Sequence, residues 1–110
     1  MDSNLVVRAL SALAHESRLA IFRTLVVAGL EGLPAGEIAQ TLGLAPSSLS
    51  FHLKDLSHAE LVNARHEGRF VIYSANFGAM TDLIGFLTEN CCAGEPCAAS
   101  DLANCCGDST

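Results

Sequence analysis

Five cysteines stand within sixteen residues, as Cys91-Cys92, Cys97 and Cys105-Cys106, and none precedes them. Adjacent cysteines across a trans peptide have Cα atoms about 3.8 Å apart, shorter than the roughly 4.4 to 6.8 Å of a disulfide, so a vicinal pair disfavours bridging to itself. It presents two thiols to one soft atom instead, and the bend Gly94-Glu95-Pro96 can return Cys97 as a third. Three thiolates around one centre suit trivalent arsenic or antimony, which take a three-coordinate pyramid with a lone pair at the fourth corner. Zinc and cadmium prefer four ligands, and Cys105 or Cys106 would supply the fourth thiolate. The expected site is Cys91, Cys92 and Cys97 around arsenic(III), with antimony(III) or methylated arsenite as near relatives. Cys105 and Cys106 are secondary, because a longer loop costs more closure entropy. A thiol-redox sensor is the rival use of these residues; it needs a thiolate beside a cation, and the stretch holds acids without Lys or Arg.

A second stretch carries a different chemistry. In Ala45-Pro46-Ser47-Ser48-Leu49-Ser50-Phe51-His52-Leu53-Lys54-Asp55-Leu56 the apolar positions Leu49, Leu53 and Leu56 recur at helical spacing, while Ser47, Ser48, Ser50, His52 and Lys54 face elsewhere. Pro46 suits a first helical turn. A helix start rich in hydroxyls, with no acid before Asp55, can approach phosphates and base edges in a major groove. This is the expected recognition helix.

Those residues must be held by the elements around them. Leu5, Ala9, Leu10 and Leu13 read as one helix over about Leu5–Leu13, and Leu19, Phe22, Leu25 and Val26 as the inward side of another over Ser17–Ala28, stopped by Gly29. Pro34 precedes a short helix over Gly36–Leu42, ended by Gly43, and only Leu44-Ala45 separates it from the serine-rich helix. Two short helices joined so tightly form a helix-turn-helix. Beyond Leu61 the period turns to alternation: Leu61–His66, a Glu67-Gly68 turn and Arg69–Ser74 read as a β-hairpin with Arg65, His66 and Arg69 near its tip, placed as a wing whose cations touch backbone phosphate. From about Asn76 a last helix carries Phe77, Met80, Ile84 and Leu87 on one stripe, either a core wall or the dimer surface that reading palindromic DNA requires. Cys91 continues that stripe, so gathering Cys91 with Cys92 and Cys97 would reshape the helix end and alter the spacing of two recognition helices.

Composition narrows the function classes. At 110 residues the chain makes one core and is short for an enzyme with an enclosed pocket; half its residues are hydrophobic and 5% aromatic. No apolar run approaches a membrane span and no signal peptide opens the chain, so the expected location is the cytoplasm. A Cys-x-x-Cys beside a βαβ unit, expected of a small thiol oxidoreductase, is missing, and His15, His52, His58 and His66 show no ligand spacing with one another. A net charge of -6 argues against a protein that coats nucleic acid generally, since nonspecific affinity comes from Lys and Arg on phosphate. It leaves room for a sequence-specific dimer with Lys54, Arg65 and Arg69 on one face. The expected architecture is mainly α with a β-hairpin wing, a homodimeric winged helix-turn-helix over residues 1–90 followed by a cysteine-rich sensor tail over 91–110.

The order of these elements resembles the ArsR family, the winged-helix, homodimeric, metal- or metalloid-responsive repressors of bacteria. The likeness runs from about Leu10 to Leu87, through Leu42-Gly43-Leu44, Ser48-Leu49-Ser50-Phe51-His52-Leu53-Lys54-Asp55-Leu56, Leu61-Val62 and Arg65-His66-Glu67-Gly68-Arg69. The resemblance implies that the effector-free dimer occupies operator DNA, blocks transcription and leaves when effector binds. The chain departs from the family in several places. Ala45 stands where a capping hydroxyl or acid is usual, at a cost of about 1 kcal/mol, and Glu60 where glycine is usual. The helix Gly36-Glu37-Ile38-Ala39-Gln40 lacks the cysteines of the best-known arsenic repressors. Asp82 has no later histidine to complete the zinc site of the last helix, which leaves the cysteine tail as the sensor.

Overall fold

The computed structural model describes residues 2–89. The cysteine tail lies outside them. Five helices and three short strands follow in the order α1 (Ser3–Leu13), α2 (Glu16–Ala28), a 3₁₀ turn (Gly29–Glu31), β1 (Leu33–Pro34), α3 (Ala35–Leu42), α4 (Pro46–His58), β2 (Val62–Glu67), β3 (Phe70–Ala75) and α5 (Phe77–Leu87). The class is mainly α with an antiparallel hairpin wing, as the sequence indicated.

Helix ends follow local chemistry. The Asp2 carboxylate accepts from the Leu5 amide, His15 Nδ1 from the Ser17 amide and Asn76 Oδ1 from the Ala79 amide, each satisfying a first-turn donor. Gly43 ends α3 in the left-handed conformation. α4 ends in the same way without glycine: the Leu61 amide donates to Leu56 O and the Glu60 amide to Ser57 O, which puts Glu60 at φ +62°. The Asn76 side chain then donates to Glu60 O, and its amide to Leu61 O, fixing the start of α5 on that turn.

The core is aliphatic. Ile21, Leu25, Ile38, Leu49, Leu53, Leu56 and Leu61 are fully buried, and Val6, Ala9, Phe22, Val62, Ala75 and Leu83 close around them. Removing one such leucine side chain from a packed site costs about 2 to 5 kcal/mol. Three helices turn differently from the expected stripes. On α2 Ile21 is buried and Leu19 is 45% exposed, and on α1 Val6, Ala9 and Ala12 face inward while Leu10 is exposed. On α5 Ala79 and Leu83 make the core wall, leaving Ile84 and Leu87 more than half exposed. Small residues pack closest in so small a core, so the larger ones at neighbouring positions are displaced outward.

The sheet has the order β1-β3-β2. Val62 pairs with Ala75 and Glu67 with Phe70, so the turn residues are Gly68 and Arg69, one position later than expected. Gly68 at φ +62° supplies the left-handed residue such a turn needs. The two-residue strand β1, too short for any sequence period, pairs Leu33 with Tyr73 and Pro34 with Ile72. Gly32 makes this possible: its φ is +70°, and a Cβ there would collide with the carbonyl oxygen of Tyr73.

Two stability outcomes follow from these backbone positions. A left-handed L-residue costs about 1 to 2 kcal/mol, partly offset by the unfolded-state entropy of glycine, so Glu60→Gly raises the melting temperature of the reduced protein by the equivalent of up to about 1 kcal/mol. Gly32→Ala meets both strain and collision and lowers it, by more than about 2 kcal/mol. Thermal circular dichroism measures both, and an unchanged melting temperature in either variant would contradict the assigned backbone.

Candidate nucleic-acid interface

α3 and α4 are joined only by Gly43-Leu44-Ala45. Ala45 gives α4 no side-chain cap, Pro46 has no amide hydrogen, and the amides of Ser47 and Ser48 are left without a capping partner. A helix start with free donors and no acid in its first turn favours an anion in front of it.

Burial fixes the rotation of α4. Leu49, Leu53 and Leu56 are at most 2% exposed, and at about 100° per residue they occupy an arc of roughly 60°. Ser47, Ser48, Ser50 and Lys54 lie outside that arc and are exposed, as expected for groups that meet DNA. Lys54 makes no ion pair among the described residues.

His52 does not join them. It lies about 70° from the centre of the buried arc, half-buried toward α2, with its ring 4.8 Å from the ring of His15 and its Nδ1 buried without a partner among the described residues. His52 thus packs between α4 and the start of α2 with part of its ring still open to solvent. Burial lowers its pKa below the ordinary imidazole value; His15 and Arg18 push the same way and Asp55 opposes them.

Arg18 fixes the flank of α4. Its Nε donates to Ala12 O at 2.6 Å and its guanidinium reaches Asp55 Oδ2 at 3.2 Å, joining α1, α2 and α4. The pair also neutralises the one acid of α4. Nothing local in the sequence marks this, because the partners are 37 residues apart.

At the wing, His66 and Arg69 are exposed near the tip. Arg65 is exposed too but engaged: it donates to Leu30 O at 3.3 Å and to Glu31 O, and pairs with Glu67 at 3.1 Å. These contacts hold β2 against the turn after α2, where backbone carbonyls at a helix end attract a cation. Phe51 is 64% exposed on α4. The expected ligands Cys91, Cys92, Cys97, Cys105 and Cys106 lie outside the described residues. Among the described residues no group of three or more His, Cys, Asp or Glu could hold a metal, and no helix is long and apolar enough to cross a membrane.

A helix-turn-helix domain family matches residues 13–65. The nodulation protein NolR of Rhizobium meliloti is 33% identical over 88 residues, 80% of this chain and 70% of that protein. The chain belongs to the ArsR-like winged helix-turn-helix transcriptional regulators. Among solved structures, HlyU from Vibrio cholerae is similar at 36% identity and a TM-score of 0.62, over 79% of this chain and 97% of that one, and its reduced form at 37% and 0.60, over 77% and 90%. The homodimeric DNA-binding domain Mb0332 of Mycobacterium bovis, described as a possible ArsR-family regulator, is similar at 26% identity and 0.63, over 79% and 81%. These regulators bind DNA and are not enzymes.

The His52 environment gives a signed pH dependence. Its folded pKa lies below the unfolded value of about 6.5, so between the two the unfolded chain binds more protons and stability rises with pH. The contribution is fully present above pH 6.5 and is lost as pH falls from there through the folded pKa. Urea denaturation at several pH values checks this: His52→Gln flattens the decline below pH 6.5, and an equal decline in the variant would contradict it.

Proposed function

We propose that the protein is a homodimeric transcriptional repressor in the cytoplasm that binds double-stranded operator DNA and releases it when arsenic(III) binds Cys91, Cys92 and Cys97. The observation that carries the DNA half is the outward serine face of α4, with its single acid held by Arg18. The effector half rests on thiol chemistry: a vicinal cysteine pair with a third cysteine five residues on suits a pyramidal three-coordinate ion. The dimer is supported by apolar side chains left outside the core, Val7 and Leu10 on α1 and Ile84 and Leu87 on α5, and by the homodimeric Mb0332 domain.

The release mechanism follows from the chain order. α5 ends at Leu87, four residues before Cys91. Gathering three thiolates there constrains the end of the helix whose exposed Ile84 and Leu87 would set the spacing of the two subunits. A coupling of about 1 to 3 kcal/mol between effector and DNA is enough to empty an operator. A thiol-redox switch at the same cysteines is the second reading, favoured by the similarity to a structure of reduced HlyU.

Native mass spectrometry of the reduced protein offered arsenite, cadmium and zinc separately decides between effectors. The expected result is a dimer with one arsenic per subunit and loss of three protons, and Cys91→Ser abolishes both the adduct and arsenite-driven release from DNA. Stoichiometric cadmium or zinc without arsenic would replace the effector, and release by oxidant alone would favour the redox reading.

A further inference from the structure

At the centre of the outward side of α4 stands a residue that polar contacts to DNA do not explain. Counted at about 100° per residue from Leu49, Phe51 lies at roughly 200°, opposite the buried arc, with Ser47 and Lys54 to one side of it and Ser48 to the other. Of the five phenylalanines in the chain, Phe22 is buried and Phe77 and Phe86 pack against the core, whereas Phe51 on α4 and Phe70 on the wing are each 64% exposed. The Phe51 ring stands edge-on to His52 at 6.2 Å, and most of its surface is open to solvent. The surroundings are hydroxyls, free first-turn amides and a lysine, a surface complementary to a polyanion.

The major groove offers one apolar group on its floor, the C5-methyl of thymine, and phenylalanine is among the side chains that contact it. We propose that Phe51 is a specificity-determining residue that reads a thymine methyl in each half-site. The proposal rests on α4 being the helix that enters the groove, and adds which base lies under its centre. The amides and hydroxyls of Ser47 and Ser48 and the Lys54 ammonium would hold the helix against phosphate, and the phenyl ring would then exclude water from the methyl below it. A cytosine at that position offers an amino group and no methyl, so the ring would bury a donor without satisfying it.

The test uses the full reduced chain. Duplexes are first selected from a random pool, and each thymine of the selected site is then replaced by deoxyuridine, which removes only the methyl. Burial of one such group is worth about fourfold in affinity. The expected result is one thymine per half-site whose replacement weakens binding about fourfold, and about sixteenfold when both are replaced. Phe51→Ala binds thymine and uridine duplexes alike, Phe51→Leu keeps part of the discrimination, and Ser50→Ala keeps all of it even where affinity falls. Circular dichroism confirms that each variant is folded. Equal binding of all uridine duplexes by the parent protein, a selected site without thymine, or undiminished discrimination in Phe51→Ala would overturn the assignment while leaving α4 as the DNA-binding helix. Failure to select any duplex would overturn both.

Discussion

Everything on the DNA-facing side depends on one constraint, the burial of Leu49, Leu53 and Leu56 against Ile21, Leu25 and Ile38. A small core has no room for α4 to roll, because close-packed interiors penalise any rotation that exposes a leucine and buries a serine. Once those three side chains are inside, Ser47, Phe51 and Lys54 must be outside. Arg18 fixes the setting from the flank by joining the end of α1 to Asp55. The turn through Glu60 then hands the chain to the wing at a defined angle, and Arg65 pins the wing to the carbonyls after α2.

Charge is placed economically for an acidic chain that meets a polyanion. Three of the twelve acids, Glu95, Asp101 and Asp108, lie beyond residue 89 without any cation there. Of the acids near the interface, Asp55 is paired with Arg18 and Glu67 with Arg65. Of the cations on α4 and the wing, Lys54 and Arg69 make no ion pair among the described residues, and phosphate contact through so few charges would give a shallow dependence of affinity on salt. Discrimination must come mainly from base edges, which gives weight to a single apolar contact at the centre of the helix.

The fold was readable where a period ran for several turns. All five helices, the tight α3–α4 connection and the hairpin were visible, because amphipathic spacing and glycine stops are local signals. The uncapped Ala45 followed from residue type alone. What was not visible depended on partners distant in sequence. Arg18 and Arg65 look like surface cations until Ala12, Asp55, Leu30 and Glu31 are brought to them. His52 sits on the helix as a polar residue, and its packing against His15 has no local signal. β1 has two residues and no period. Phe51 could have been found: it falls off the leucine stripe by about 200°, and an apolar residue there has no core to enter.

The most direct measurement is the symmetry of the DNA the protein selects. Sequencing duplexes bound by the full reduced protein from a random pool should return an inverted repeat whose half-site centres are separated by about one helical turn, or a multiple of it, since a two-fold dimer presents its recognition helices to one side of the duplex. A selected site with a single half-site, direct repeats, or no enriched sequence at all would contradict a dimer that reads DNA through α4.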